Sequence, residues 1–232
     1  MAIAVQICAL RQSLLDCQGH ALVLGGPGSG KTTIALKKAV VRINAGLGPG
    51  QSILFLSFSR AAVARLGETM KQEVPSAQRN QLSMQTFHSF FWTLLSAHAY
   101  LLGAPGKLRI LLPQDEQVEY GSIRARERNE QNADWRAWLA RREEMFRQDG
   151  RIAFDLFARN AEALLTQSQH IRRLITQRHP LIIVDEAQDT DAHAWRCIDL
   201  LSASAQIVCL ADLDQQIFDY LPGIGPERVD AI

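Results

Sequence analysis

Short apolar runs alternate along this chain with stretches whose apolar positions recur every three to four residues. The runs fall at residues 21–24 (ALVL), 53–58 (ILFLSF), 82–85 (LSMQ), 181–184 (LIIV) and 207–211 (IVCLA). Runs of four to six β-prone residues separated by helical patterns predict a parallel sheet covered by helices on both faces, an α/β fold. LFLSF, LIIVDE and IVCLAD are apolar at odd and even positions alike, as strands buried on both faces should be. Their polar residues sit at the C-terminal ends, where open α/β sheets carry ligand sites. Between residues 102 and 179 the strand signal fades and Arg, Glu, Gln and Trp rise, with helical patterns at 135–148 and 154–165. The expected organisation is therefore a discontinuous sheet domain, 1–101 with 180–232, carrying a helical insertion at 102–179. Gly103-Ala104-Pro105-Gly106 marks the way out and His179-Pro180 the way back. The mixed charges of Arg124, Arg126, Glu127 and Arg128 suit a solvated face.

Composition narrows the class. With 232 residues, 47% of them hydrophobic, the chain can bury a substantial core. A formal net charge of +1 gives no global signature for a polyanion, so any nucleic-acid partner must be held by a local groove. Cys8, Cys17, Cys197 and Cys209 lie far apart without a C-x-x-C pair, which speaks against zinc or a disulfide framework and predicts core packing for each in a reducing compartment. No signal-like stretch and no run long enough to span a membrane is present in the sequence, so the expected location is the cytoplasm, with no membrane partner.

Candidate chemistry begins at residues 25–33, GGPGSGKTT, directly after the first apolar run and before an amphipathic stretch at 33–43. The spacing G-x-x-x-x-G-K-[ST] lets backbone N–H groups converge on phosphate oxygens, because glycine accepts dihedrals that a Cβ resists. Gly26, Pro27, Gly28, Ser29, Gly30, Lys31, Thr32 and Thr33 form the candidate nucleotide site. Lys31 supplies charge to the β- and γ-phosphates, Thr32 offers its hydroxyl to Mg²⁺, and the following helix adds its N-terminal dipole. A Gly-rich turn joining strand to helix is the plain alternative for the pattern alone.

The run LIIV feeds into Asp185-Glu186-Ala187-Gln188-Asp189-Thr190. A carboxylate ending a buried strand suits an Mg²⁺ ion that keeps part of its water shell, which makes Asp185 the metal candidate. Glu186 beside it is the candidate to orient or deprotonate an attacking water. The same acidic residues also suit the N-terminus of a helix. After the last run comes Asp212-Leu213-Asp214-Gln215; the neutral amide of Gln215 can donate to a γ-phosphate oxygen and accept from water. A solvent-facing loop glutamine is the ordinary alternative.

GGPGSGKTT, ILFLSFSRAAV (53–63), TFHSF (86–90), LIIVDEAQDT (181–190) and LADLDQQIF (210–218) together resemble the ordered N-terminal motifs of the UvrD/Rep-type superfamily 1 DNA helicases. The resemblance covers residues 25–220. It implies a RecA-like P-loop NTPase motor domain with a helical insertion subdomain, ATP and Mg²⁺ as cofactors, and single-stranded DNA as partner, with 3′-to-5′ movement in the full-length protein. Carried over residue by residue, Lys31 and Thr32 match the phosphate and metal ligands, Asp185 and Glu186 the metal carboxylate and catalytic base, and Gln215 the γ-phosphate contact. Phe58 matches an aromatic that contacts bases, Tyr220 falls where a stacking aromatic is usual, and Thr86 and His88 match positions near the DNA backbone. Gln12 matches the upstream glutamine that reads adenine.

The chain departs from the family pattern at several points. The usual basic residue of the second motif falls on Ala61, with Arg60 beside it, and the usual glycine before Asp212 is Ala211. Beyond Tyr220, Leu221-Pro222-Gly223 replaces the arginine-bearing continuation. The resemblance also implies a second motor domain, in the parent chain or a partner subunit, that closes the ATP cleft and brings arginine fingers worth about 10³ to 10⁵ in rate. The expectation is a chain that binds ATP and turns it over slowly by itself. A nucleotide-switched binding module without motor activity is the alternative reading.

Overall fold

A computed structural model describes residues 7–212 apart from 122 and 130. The chain divides into two compact units, residues 1–87 with 168–232, and residues 88–167.

Among the described residues, the first unit contains α1 (Ala9–Asp16), β1 (Ala21–Leu24), α2 (Lys31–Asn44), β2 (Ile53–Ser57), α3 (Arg60–Glu73) and β3 (Leu82–Thr86) before the second unit, and α8 (Gln169–Arg178), β6 (Leu181–Val184), α9 (Ala192–Ser202) and β7 (Gln206–Ala211) after it. The strands form one sheet in the order β1-β7-β6-β2-β3. Every pairing is parallel, with Ala21 opposite Val208, Ile182 opposite Ile207, Leu54 opposite Ile182 and Ile53 opposite Leu82. Crossover helices join parallel neighbours, which is why helices cover the faces. This is the RecA-like α/β P-loop fold.

β2, β6 and β7, apolar at every position except Ser57 at the end of β2 and Gln206 at the start of β7, occupy the interior of the sheet and are almost wholly buried. Side chains alternate between faces. Ile53, Phe55, Leu181, Ile183, Val208 and Leu210 meet Leu14 and Leu15 of α1, Ile34 and Ala39 of α2 and Leu66 of α3 in one core. On the other face α9 packs against β7 and α8. β1 lies at the edge of the sheet among the described residues, so its residues are half-buried and Leu24 is 50% exposed.

Cys197 and Cys209 pack in the core as expected, but Cys8 is exposed and Cys17 half-buried. They flank α1, a short surface helix whose buried residues are Leu14 and Leu15, so core packing is corrected for these two. The main-chain end of α1 is fastened instead by Lys38, buried in α2, whose ammonium donates to the carbonyls of Leu15 (2.8 Å) and Cys17. Gln206 of β7 donates to the Cys17 and Gly19 carbonyls at 3.0 and 2.6 Å. Burial pulls the Lys38 ammonium below its ordinary pKa.

The second unit contains α4 (Phe87–His98, from its second residue), β4 (Arg109–Leu111), α5 (Pro113–Tyr120), α6 (Ala133–Asp149), β5 (Arg151–Ala153) and α7 (Phe157–Gln167). The expectation of no strands here is corrected: β4 and β5 pair in parallel, Ile110 opposite Ile152. At three residues each, they are too short to leave a periodic signal. Asn132 caps α6 through its side-chain oxygen, and Leu111, Trp138, Met145 and Ala153 form a small core. Buried Arg142 pairs with Glu116 at 3.1 Å and with Asp155. Arg128 stands 4.6 Å over the Tyr120 ring, whereas Arg124 and Arg126 face solvent. The units divide at 87/88 and 167/168 rather than at 101/102 and 179/180. Trp92 of α4 stacks on Phe157 of α7 at 5.5 Å, which joins α4 to the helical unit, while α8 packs on α9 in the sheet unit. No helix among the described residues is long and apolar enough to cross a membrane.

Candidate functional site

The phosphate loop leaves β1 and turns into α2 through two left-handed glycines, Gly28 at φ +70° and Gly30 at φ +84°. Residues with a Cβ pay for that region, which is why the spacing calls for glycine. Gly25 donates to the Ala211 carbonyl at 3.3 Å, tying the loop to the end of β7. A Cβ at Gly25 would stand 2.7 Å from the Ser29 hydroxyl. Asp191, Ser59, Ser168 and Asn132 cap their helices with side-chain oxygens, but Gly30 leaves the first N–H groups of α2 without a side-chain cap. Uncapped N–H groups at the positive end of a helix are suited to an anion.

Gly26 to Thr33 line a cavity of about 500 Å³ together with Ala62, Arg65, Leu66 and Thr69 of α3, Asp185 and Glu186 after β6, and Asp212 after β7. The cationic and acidic loops thus meet at the C-terminal rim of one sheet. Lys31 donates to the carbonyls of Gly25 and Gly26, the latter at 3.1 Å, and pairs with Asp212 Oδ2 at 3.3 Å. Burial pushes the Asp185 carboxyl up to about 6, and the Glu186 carboxylate pushes the same way, against the charges of Lys31 and Arg65. Burial and Glu186 push Asp189 up to about 6 as well.

Glu186 stands at φ 54°, the one described non-glycine residue in the left-handed region, a conformation that collects at functional turns. Its carboxylate is aimed by Gln188, a buried side chain whose Nε2 donates to Glu186 Oε2 at 2.7 Å. The Oε1 of the same amide accepts from the backbone N–H of Asp212 at 3.1 Å. One side chain therefore links the acidic loop to the end of β7.

Lys31, Thr32, Asp185 and Glu186 come together. Gln12 does not join them: it is exposed on α1, its amide donating to Asp16 at 2.9 and 3.0 Å. Its neighbour Arg11 reaches the loop instead, donating to the Ser29 carbonyl at 2.8 Å. Phe58 follows β2 and is 36% exposed, and Thr86 ends β3 half-buried. In the helical unit His88 is exposed and its ring lies 6.4 Å from Phe154 and 6.2 Å from Phe157. Gln215 and Tyr220 lie outside the described residues.

Sequence reasoning missed Asp212, Gln188, Arg65 and Phe154 as site candidates. Asp212 could have been found as the first polar residue after an apolar run, and Arg65 from its place beside the stripe of Ala62, Leu66 and Thr69. The amide link through Gln188 and the 41% exposure of Phe154 leave no signal in the pattern.

The chain matches the AAA domain family over residues 10–220. It belongs to that family. It is similar to YjcD of Bacillus subtilis (22% identity over 243 residues, 90% of this chain and 32% of that one). It is also similar to DNA helicase II of Salmonella typhimurium (22% identity, 90% of this chain, 34% of the relative) and of Haemophilus influenzae (24%, 87% and 33%). The chain spans about a third of the length of these curated relatives.

Proposed function

We propose that this AAA domain is the N-terminal ATP-binding half of a UvrD-like, ATP-dependent DNA helicase, whose full-length form moves 3′ to 5′ along single-stranded DNA. The observation that carries this reading is the shared cavity in which the phosphate loop faces Asp185 and Glu186. The similarity to two DNA helicases II supports the substrate class.

In this reading the loop N–H groups and the open end of α2 bind the phosphates of ATP, and Lys31 neutralises the β- and γ-phosphates. The Thr32 hydroxyl and Asp185 carboxylate line one cavity and are hard oxygen donors, the kind Mg²⁺ takes. Asp185 is pushed up by burial, so its ionised form gains most from a neighbouring cation. When bound, Mg²⁺ would neutralise charge developing on the phosphates. Glu186 orients the attacking water and accepts its proton, and Gln188 holds that carboxylate in place. Gln215 reads the terminal phosphate.

Single-stranded DNA is bound through Phe58, Thr86, His88 and Tyr220, with Phe154 added from the helical unit because its exposed ring neighbours His88. Base stacking on such rings tolerates any sequence. A second motor domain, in the parent chain or a partner, completes the cleft, and the protein acts in the cytoplasm. The test is ATP turnover by the longer parent protein with and without single-stranded DNA. Strong stimulation is expected; turnover indifferent to DNA would replace the motor with a nucleotide-switched binding module.

A further inference from the structure

The ATP cavity carries a cation that neither the motifs nor the fold calls for. α3 starts at a Ser59 cap, whose hydroxyl accepts from Ala62 N–H at 3.1 Å, and so presents Ala62, Arg65, Leu66 and Thr69 to the cavity. Those positions are three, four and seven residues on from the first, the spacing of one helix face. Ala62 and Leu66 are buried and give that wall its apolar footing. Arg65 is exposed, and among the described residues its guanidinium makes no salt bridge.

The charges of the cavity are otherwise unbalanced for a polyanion. Lys31 and Arg65 face three carboxylates, Asp185, Glu186 and Asp212. Lys31 is already engaged by Asp212 and by the Gly25 and Gly26 carbonyls. Among the described residues Arg65 is the remaining cation on the lining, which it shares with Asp185 and Glu186. It is carried by α3, an element separate from the phosphate loop and its N–H groups. A guanidinium presents a planar fork of donors that matches phosphate oxygens.

We propose that Arg65 is a contact to the terminal phosphate of the bound nucleoside triphosphate, supplied by α3 from within this chain. It makes the site prefer a triphosphate to a diphosphate before any second domain arrives. The proposal rests on the phosphate-loop reading of the same cavity.

The experiment titrates the purified chain with a non-hydrolysable ATP analogue and with ADP, both with Mg²⁺, for the wild type, Arg65→Ala, Arg65→Lys and Lys31→Ala. Arg65→Ala is expected to weaken the analogue about tenfold and ADP less than about twofold, as loss of one charge-assisted contact would, and Arg65→Lys to recover part of the difference. Arg65 is exposed, so these variants are expected to fold, which circular dichroism checks. An unchanged ratio of analogue to ADP affinity in Arg65→Ala, with Lys31→Ala impaired, overturns the role of Arg65 and leaves the phosphate loop standing. Wild-type protein that binds neither nucleotide, or Lys31→Ala that binds like wild type, overturns the loop reading and this proposal with it.

Discussion

The ammonium of Lys31 lies 3.3 Å from Oδ2 of Asp212, and both side chains are largely buried. The lysine that would serve a phosphate is therefore held by a carboxylate and two carbonyls of its own loop. An arriving polyphosphate has to compete with that carboxylate, in surroundings where charges interact more strongly than in water. Lys31→Ala is expected to weaken binding of an ATP analogue by about tenfold to a hundredfold, the loss of a charge-assisted contact. Asp212→Asn keeps the backbone N–H that bonds Gln188 and removes one negative charge, so it should bind ADP more tightly. Calorimetric titration of both variants checks the pair, and weaker ADP binding by Asp212→Asn would contradict it.

Burial pushes Asp185 from its ordinary 3.8 to about 6. Across that window the native chain holds a proton that the unfolded chain has released, so this group's contribution to stability falls as pH rises from 3.8 through about 6 and stays lost above. Asp185→Asn removes the cost, and the variant should be more stable than wild type by roughly 1–3 kcal/mol at pH 7.5, with the gap closing in acid. Urea unfolding at the two pH values measures it. The same variant should lose the Mg²⁺ dependence of nucleotide binding.

Glu186→Gln keeps the shape of the side chain and removes its ability to accept a proton. Nucleotide affinity should stay within about threefold of wild type while turnover by the longer parent falls at least a hundredfold. Single-turnover phosphate release provides the measurement, and turnover close to wild type would return Glu186 to a purely structural part.

Gln188→Leu leaves the Asp212 N–H and the Glu186 carboxylate without the amide that joins them. A buried donor stripped of its acceptor costs about 1–3 kcal/mol, and thermal unfolding should report a loss of that size. Gln188→Glu should do worse still, since it sets a like charge against Glu186. Stability equal to wild type in both variants would mean that the link is dispensable.

Phe154→Ala and Phe58→Ala should each weaken single-stranded DNA binding by the parent protein, by about 1–3 kcal/mol if the ring stacks on a base, and leave ATP affinity alone. Fluorescence anisotropy with a labelled oligonucleotide distinguishes the two rings. Unchanged affinity in either variant assigns that ring to packing.

The interior of the sheet was legible because β2, β6 and β7 carry runs that are apolar at odd and even positions alike, as strands covered on both faces do. β1 carries the same kind of run but lies at the edge among the described residues, a place that pattern alone cannot assign. β4 and β5 escaped notice because three residues set no period. The loop, Asp185 and Glu186 were legible because their chemistry demands fixed spacing. Gln188 was not, since what it does depends on which elements the fold brings alongside, and for Arg65 the pattern marks a helix position but not the cavity it faces. Cys17 looked like an interior residue because sulfur is apolar, yet the short α1 ends too near the surface to bury it.

α2 begins at the phosphate loop and, two turns on, grips the end of α1 through Lys38. The bond gears the two helices together, so a nucleotide that tilts one is expected to disturb the seat of the other. Cys17, whose thiol rests 3.5 Å from the Gly19 carbonyl in that seat, is expected to sense such a shift. Its alkylation rate offers a probe-free readout, and a rate indifferent to saturating triphosphate would show that the gearing stays still.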